Sequence, residues 1–360
     1  MKRRIFRGVP LFLYILAFAV TAGDASSDSH VAARSSAHDR VIHIYMHNVL
    51  FRVMDNVALQ VTSVNGIVTP SRRNAIVSLD DKNSFSLNMQ TATTSISSAD
   101  LAALANGFIL PRAKTSLKNL SFTFNPDQSI QVKGDFHKVV DVPFSATATL
   151  HATPDGNMQM HVTNMTVAGV IHQDLLDLLG IRISKVAKPK RQRFFQIVGN
   201  DIVFPIDQMF PPPHVHGHLQ DVNISGSELN LAFGSSRKID GDGQSAAENP
   251  PTTAGSYIYF HGGTMKFALL TMSPVDLELV PLKPDREKSF EFSVDDYYRQ
   301  LVGGYSKSLP NKGLLVYMAD ERAIQPSTQP AQSNQNKRRT GFRRNLHGGR
   351  TQSGVQSSGK

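Results

Sequence analysis

The chain has 360 residues and a formal net charge of +9, and because it lacks cysteine it has no disulfide framework and no lipid attached through a cysteine. Four basic side chains lie in residues 1–23 and seven in residues 337–360, and neither segment contains an acidic residue. The remainder, with 27 basic and 29 acidic side chains, is close to neutral, which excludes a basic nucleic-acid-binding domain.

Residues 1–23 have the three parts of a secretory signal peptide. Basic side chains come first, an apolar stretch runs from Val9 to Val20, and small residues at Ala22 and Gly23 offer a cleavage site. The apolar stretch is shorter than the roughly 18 residues that a membrane-spanning helix needs. We therefore expect an exported protein, periplasmic or extracellular and, as one alternative, peripheral to a membrane, with residues 24–40 as a polar tether.

Residues 41–234 contain many short runs in which apolar and polar side chains alternate. The longest is "VPFSATATLHA", and "SFSLNM", "LSFTF", "MQMHV" and "LNLAF" are similar. Alternation with period two is typical of antiparallel strands with one buried face. Two segments have helical spacing instead: "SSADLAALANGF", with Ser98 as its predicted cap and Gly107 as its predicted end, and "IHQDLLDLLGI". The prediction is an α+β fold, mostly antiparallel β, with one long curved sheet and two short amphipathic helices.

The C-terminal part is predicted as a separate, smaller unit. Residues 235–255 are polar and rich in Gly and Pro, which indicates a linker. Residues 256–318 predict a β-rich unit, packed on or extending the main sheet, with a hairpin across Gly262 and Gly263, one helix and a final strand. Residues 319–360 are rich in Gln, Ser, Asn, Gly and Arg and predict a disordered basic tail.

A run of basic residues directly follows the second predicted helix. The sequence "RISKVAKPKRQRFF" contains no acid and ends in two aromatic residues, a combination typical of segments that bind an anionic membrane surface. The alternative is a solvated loop whose phenylalanines begin the next strand, "FFQIVG". The candidate membrane-contact residues are Lys188, Lys190, Arg191, Arg193, Phe194 and Phe195.

The sequence "PPPHVHGHL" places His214, His216 and His218 at alternate positions. In an extended strand they share one face, and three imidazoles can hold zinc in an open site. The alternative, which the sequence favours, is the polar face of a strand with Val215 and Leu219 turned to the core, because no glutamate follows at the spacing of a cupin-like centre. The sequence "YIYFHGGT" is similar to the oxyanion-loop entry of α/β-hydrolases, but no Gly-x-Ser-x-Gly motif follows it.

The order of these elements resembles that of a known family. The segments "ISSADLAALANGFILPRAKTSLKNLSFTFNPDQSIQVKGDF", "VPFSATATLHATPDGNMQMHVTNMTVAGVIHQDLLDLLGI" and "PPPHVHGHLQDVNISGSELNLAFG" resemble the LmeA-like phospholipid-binding proteins of bacterial envelopes, over roughly residues 85–234. That family is similar to tubular lipid-binding proteins, so the resemblance implies a long curved sheet that wraps helices around an acyl-chain cavity. It implies lipid binding and no chemistry, and the residues after 255 have no counterpart in it.

We therefore expect an exported, non-enzymatic phospholipid-binding or phospholipid-transfer protein of the bacterial cell envelope, without a cofactor. Its expected partner is a lipid or an anionic membrane surface and not a nucleic acid. A metal-dependent envelope hydrolase that uses the three histidines, or a structural scaffolding protein with a protein partner, remains as an alternative. The residues expected to line or gate the lipid site are Phe108, Ile109, Leu110, Leu175, Leu176, Leu178 and Leu179.

Overall fold

The computed structural model describes residues 41–113, 115–137, 139–168, 170–172, 194–234, 254–283, 285, 288–310 and 312–320. The predicted signal peptide, tether, linker and tail therefore lie essentially outside the described residues. The body of the second predicted helix, which contains Leu175, Leu176, Leu178 and Leu179, also lies outside the described residues. The same is true of the four basic membrane-contact candidates, Lys188, Lys190, Arg191 and Arg193.

The described chain forms 21 strands and four short helices. This confirms the prediction of a mostly antiparallel β protein with few short helices. None of the helices in the described ranges is long and apolar enough to span a bilayer. The strands are β1 (Ile42–Met54), β2 (Val57–Pro70), β3 (Val77–Ser78), β4 (Phe85–Ser97), β5 (Leu117–Phe124), β6 (Ser129–His137), β7 (Asp141–Ala152), β8 (Met158–Val167), β9 (Val170–His172), β10 (Gln196–Val198), β11 (Asp201–Phe204), β12 (His214–His216), β13 (His218–Ser225), β14 (Glu228–Gly234), β15 (Tyr257–Gly262), β16 (Met265–Phe267), β17 (Leu270–Met272), β18 (Val275–Pro281), β19 (Phe290–Ser293), β20 (Tyr305–Ser308) and β21 (Leu314–Met318). The helices are α1 (Ser98–Leu104), α2 (Leu110–Ala113), α3 (Ile206–Met209) and α4 (Tyr297–Val302), with a π-helical turn (Ala105–Ile109) between α1 and α2.

The strands form three sheets. The largest has eleven strands in the order β13-β14-β4-β2-β1-β15-β18-β21-β20, with β12 beside β4 and β19 beside β1. A seven-stranded sheet has the order β10-β11-β8-β7-β6-β5, with β9 beside β8, and a small sheet has the order β17-β16-β3. Strands from the C-terminal part, β15, β18, β19, β20 and β21, thus extend the same sheet as β1 and β2.

The predicted hairpin across Gly262 and Gly263 is wrong in its strand pairing. β15 pairs with β1 and β18, whereas β16 pairs with β17 and β3 in the small sheet. The two glycines let the chain leave the large sheet, since their φ angles are 85° and 52°. At Gly262 a Cβ atom would also lie only 2.6 Å from the carbonyl oxygen of Val41.

Helix α1 begins one residue earlier than predicted. Its cap is Ser97 rather than Ser98, because the Ser97 side chain accepts a hydrogen bond from the backbone N–H of Asp100 at 3.1 Å. Nor does the helix end at Gly107; it continues through the π-helical turn into α2. Apolar contacts override the weak helix preference of glycine here, since Leu104, Phe108 and Ile109 around it are all buried.

The seven-stranded sheet is joined to the large sheet through turns at one of its ends. In the β5–β6 turn, the Gln128 side chain donates to the Ile224 carbonyl at 2.8 Å and accepts from the Ile224 N–H at 2.7 Å. In the β7–β8 turn, the Gly156 carbonyl accepts from the N–H of Leu219 at 3.0 Å. Both partners belong to β13, the edge strand of the large sheet, so these bonds satisfy backbone groups that an edge strand leaves unpaired.

The C-terminal strands are held together by a fully buried amide. Gln300 of α4 has no exposed surface. Its side chain donates to the carbonyls of Glu291 (2.7 Å) and Ala319 (3.2 Å) and accepts from the N–H of Ser293 (3.0 Å). One side chain therefore satisfies three backbone groups on two different chain segments.

We expect Gln300→Leu to lower the free energy of unfolding by about 3 kcal/mol, because it leaves these three buried backbone groups without partners. Urea denaturation monitored by circular dichroism measures this value. The exposed neighbour Arg299 provides the matched control: Arg299→Ala should change stability by no more than about 0.5 kcal/mol. Equal stability of the two variants would contradict the structural role given to Gln300.

Candidate functional site

An apolar cavity of about 310 Å³ lies against one face of the seven-stranded sheet. Of its 26 lining residues only Thr115 and Ser116 have polar side chains, and none is ionisable. The lining residues are Leu101, Ala105, Ile109, Leu110, Thr115, Ser116, Leu117, Leu120, Phe122, Ile130, Val132, Phe136, Phe144, Ala146, Ala148, Leu150, Met158, Met160, Val162, Met165, Phe195, Ile197, Ile202, Phe204, Met209 and Leu229.

The period-two alternation of the central strands produces the sheet side of this cavity. In β7, Phe144, Ala146, Ala148 and Leu150 all face it. The two alanines at the centre have almost no exposed surface (5% and 0%), and their small side chains leave the space that the cavity occupies.

The pattern in β8 is interrupted by a register shift. Thr147 is opposite Asn164 and Ala148 is opposite Val162, so Thr163 is an extra residue in β8. As a result Met165 lines the cavity although it lies three positions after Val162. A strict alternation read from the sequence assigns Met165 to the wrong face.

The helical side of the cavity is positioned by one asparagine. The Asn106 side chain donates to the carbonyls of Ala102 (2.9 Å) and Leu120 (2.7 Å) and accepts from the Leu120 N–H at 2.8 Å. These bonds join the π-helical turn to the irregular start of β5. They direct Ile109 and Leu110 at the apolar face of the sheet.

The cavity is elongated along the strands. Phe136 and Ile130 line it near opposite ends of β6, roughly 20 Å apart, since a strand rises about 3.3 Å per residue. The end near Ile130 is the one joined to β13. The other end, which we call the distal end, contains the two polar lining residues, Thr115 and Ser116.

The outer face of the seven-stranded sheet carries the polar partners of the same strands. On β8 and β11, the His161 Nδ1 and Asp201 Oδ1 atoms are 2.6 Å apart. Hydrogen bonds from His161 and Gln159 lower the pKa of the Asp201 carboxyl below its ordinary value. Polar and ionisable groups of these strands therefore face away from the cavity.

The structure separates the candidate lipid-site residues that it describes. Ile109 and Leu110 line the cavity, whereas Phe108 is buried without lining it and has the Arg112 guanidinium 3.8 Å from its ring centre. Phe195, a candidate membrane-contact residue, lines the cavity and packs near Phe204, with ring centres 6.2 Å apart. Phe194 is half-buried and does not line it.

The sequence alone did not predict several of the lining residues. Ile197, Ile202 and Phe204 lie on β10 and β11, strands of three and four residues that are too short to show clear alternation. Leu229 belongs to a recognised alternating run of the large sheet, and only the packing of the two sheets brings it to the cavity.

The three histidines are not gathered into a metal site. His214 and His216 lie exposed on β12, beside β4, while His218 begins β13 and packs on Gly156. Among the described residues no group of three His, Cys, Asp or Glu side chains has an arrangement that could hold a metal ion. Val215 packs against the core and Leu219 has no exposed surface, as expected for the polar face of a strand.

Comparison with known proteins identifies no relative of this chain. No protein-family model matches the chain, and no curated protein and no solved structure is significantly similar to it.

Proposed function

We propose that this chain is a non-enzymatic lipid-binding or lipid-transfer protein and that its cavity takes the hydrocarbon chain of a phospholipid. The observation that carries this proposal is the elongated cavity, about 310 Å³ in volume and lined without any ionisable group. Its volume is at the lower end of the range for small-molecule sites, which are mostly apolar with a few placed polar groups.

The dimensions of the cavity suit a single extended hydrocarbon chain. One leaflet of a bilayer is about 15 Å thick in its hydrocarbon part, and the cavity extends over roughly 20 Å along β6. Each CH₂ group transferred from water into such a site contributes about 0.8 kcal/mol, so chain length supplies most of the affinity. Thr115 and Ser116 at the distal end offer hydroxyl groups to the polar part of the ligand.

The proposal also includes how the fold surrounds the cavity. In it the seven-stranded sheet curves around the cavity, while the part that Leu175, Leu176, Leu178 and Leu179 play in the lipid site stays a prediction from the sequence, because these leucines lie outside the described residues. The described residues on either side of them are β9, which pairs with β8, and Phe195, which lines the cavity.

Export to the cell envelope by residues 1–23 and membrane contact through Lys188, Lys190, Arg191 and Arg193 remain predictions from the sequence. They agree with a lipid-binding role, because an exported lipid carrier has to meet a membrane to load and unload.

Protein purified without detergent should carry lipid. We expect organic extraction followed by mass spectrometry to recover phospholipid in about stoichiometric amount, because an apolar cavity of this size favours an apolar occupant over water. A protein purified free of lipid that also fails to bind a fluorescent fatty acid would contradict the proposed function.

Filling the cavity should abolish binding. Ala148 is fully buried at the centre of the cavity's sheet side, so Ala148→Phe places a ring in the space of the ligand. We expect the affinity for a fluorescent fatty acid, measured by titration, to fall at least tenfold, which corresponds to about 1.4 kcal/mol.

Thr147 provides the matched control, because it is adjacent on β7 and half-buried on the opposite face of the sheet. Thr147→Phe should retain binding within about twofold. Thermal unfolding of both variants distinguishes loss of the site from loss of the fold. Undiminished binding by a folded Ala148→Phe protein would place the ligand elsewhere.

A further inference from the structure

Two adjacent valines are exposed at the distal end of the seven-stranded sheet. Val139 and Val140, in the β6–β7 turn, have 91% and 67% of their surface exposed. Single exposed apolar residues are common, but two in succession at the tip of a turn form an exposed apolar tip, the kind of surface that marks an interaction site.

This turn lies directly at the end of the cavity. The backbone N–H of His137, which precedes the turn, donates to the carbonyl of Ser116 at 2.8 Å, and Phe136 is opposite Leu117 in the sheet. Ser116, Leu117 and Phe136 all line the cavity. Val139 and Val140 therefore lie three and four residues after the lining residue Phe136.

The β8–β9 turn is at the same end, since the N–H of Ala168 donates to the Pro143 carbonyl at 3.0 Å. Both Ala168 and Pro143 are exposed. The opposite end of the sheet is occupied by its bonds to β13. The distal end is thus the end at which a hydrocarbon chain can leave or enter along the strands.

Charged side chains of both signs lie at the distal end. The carboxylates there have partners within the chain: Asp135 accepts from Asn119 at 2.8 Å, and Asp141 lies 2.5 Å from the His137 ring nitrogen. Arg112 and Lys118 are exposed, and within the described part of the chain neither forms an ion pair. With two cations and two carboxylates, the described charges match the zwitterionic head-group region of a bilayer, into whose boundary an exposed apolar tip can insert.

We propose that the distal end docks on the surface of a phospholipid bilayer, with Val139 and Val140 inserted among the head groups. Docking in this orientation places the polar residues Thr115 and Ser116 nearest the bilayer and aligns the cavity with its hydrocarbon chains. The inference builds on the proposed function, because it names the surface with which the cavity exchanges lipid.

The test is a flotation assay of the full chain with phosphatidylcholine vesicles, whose zwitterionic surface does not retain the protein through its basic segments. We expect Val139→Asp to weaken vesicle binding at least tenfold. Leu269 provides the matched control, since it is 94% exposed in the β16–β17 turn and does not line the cavity, so Leu269→Asp should bind within twofold of the parent. The double variant Val139→Ser, Val140→Ser should also lose binding, which excludes charge repulsion as the cause.

Three results would overturn the docking proposal: no binding by the parent, unchanged binding by the Val139 variants, or equal loss in the Leu269 variant. Titration of each variant with a fluorescent fatty acid in solution keeps the two proposals separate. Retained fatty-acid affinity with lost vesicle binding supports docking at this tip. Unchanged vesicle binding with retained fatty-acid affinity overturns docking and leaves the proposed function standing.

Discussion

Attachment of the seven-stranded sheet at one end is the constraint on which the rest of the structure depends. The side-chain amide of Gln128 pairs with both backbone groups of Ile224, and Gly156 accepts from Leu219, so two turns bond to a single edge strand. Gly156 has φ of 77°, and a Cβ atom there would lie 2.3 Å from the His218 ring, so no other residue fits without displacing β13. The sheet is fixed at these turns, and its other end extends away from them.

This arrangement determines what the apolar face of the small sheet can contact. Near the junction, Leu229 of the large sheet and Met209 after β11 close one end of the apolar space. Along its length the helical segment from Leu101 to Leu110 covers one side, held by Asn106. The central positions of β7 are alanines, which do not reach across to the helix. The apolar surfaces therefore enclose a cavity where larger side chains would have formed a continuous core.

A cavity of this kind lowers stability, because the residues around it lose dispersion contacts that close packing would supply. The chain compensates elsewhere: the large sheet buries long rows of Val, Ile and Leu, and Gln300 satisfies three buried backbone groups at once. The region with the cavity and the region with the closely packed core are therefore different parts of the molecule, as expected if the cavity is kept for a ligand.

The sequence by itself determined the class of the fold and most of the strands, because period-two alternation reports directly which residues are buried. It also identified the helix that contributes Ile109 and Leu110. It did not determine what each buried face packs against, since Ala148 in a cavity wall and Ile258 in a core have the same pattern. Only the tertiary structure decided that β15 pairs with β1 rather than with β16, that Phe195 lines the cavity, and that the three histidines are not arranged, among the described residues, as a group that could hold a metal ion. Those outcomes depend on contacts between residues distant in sequence, and local periodicity carries no information about them.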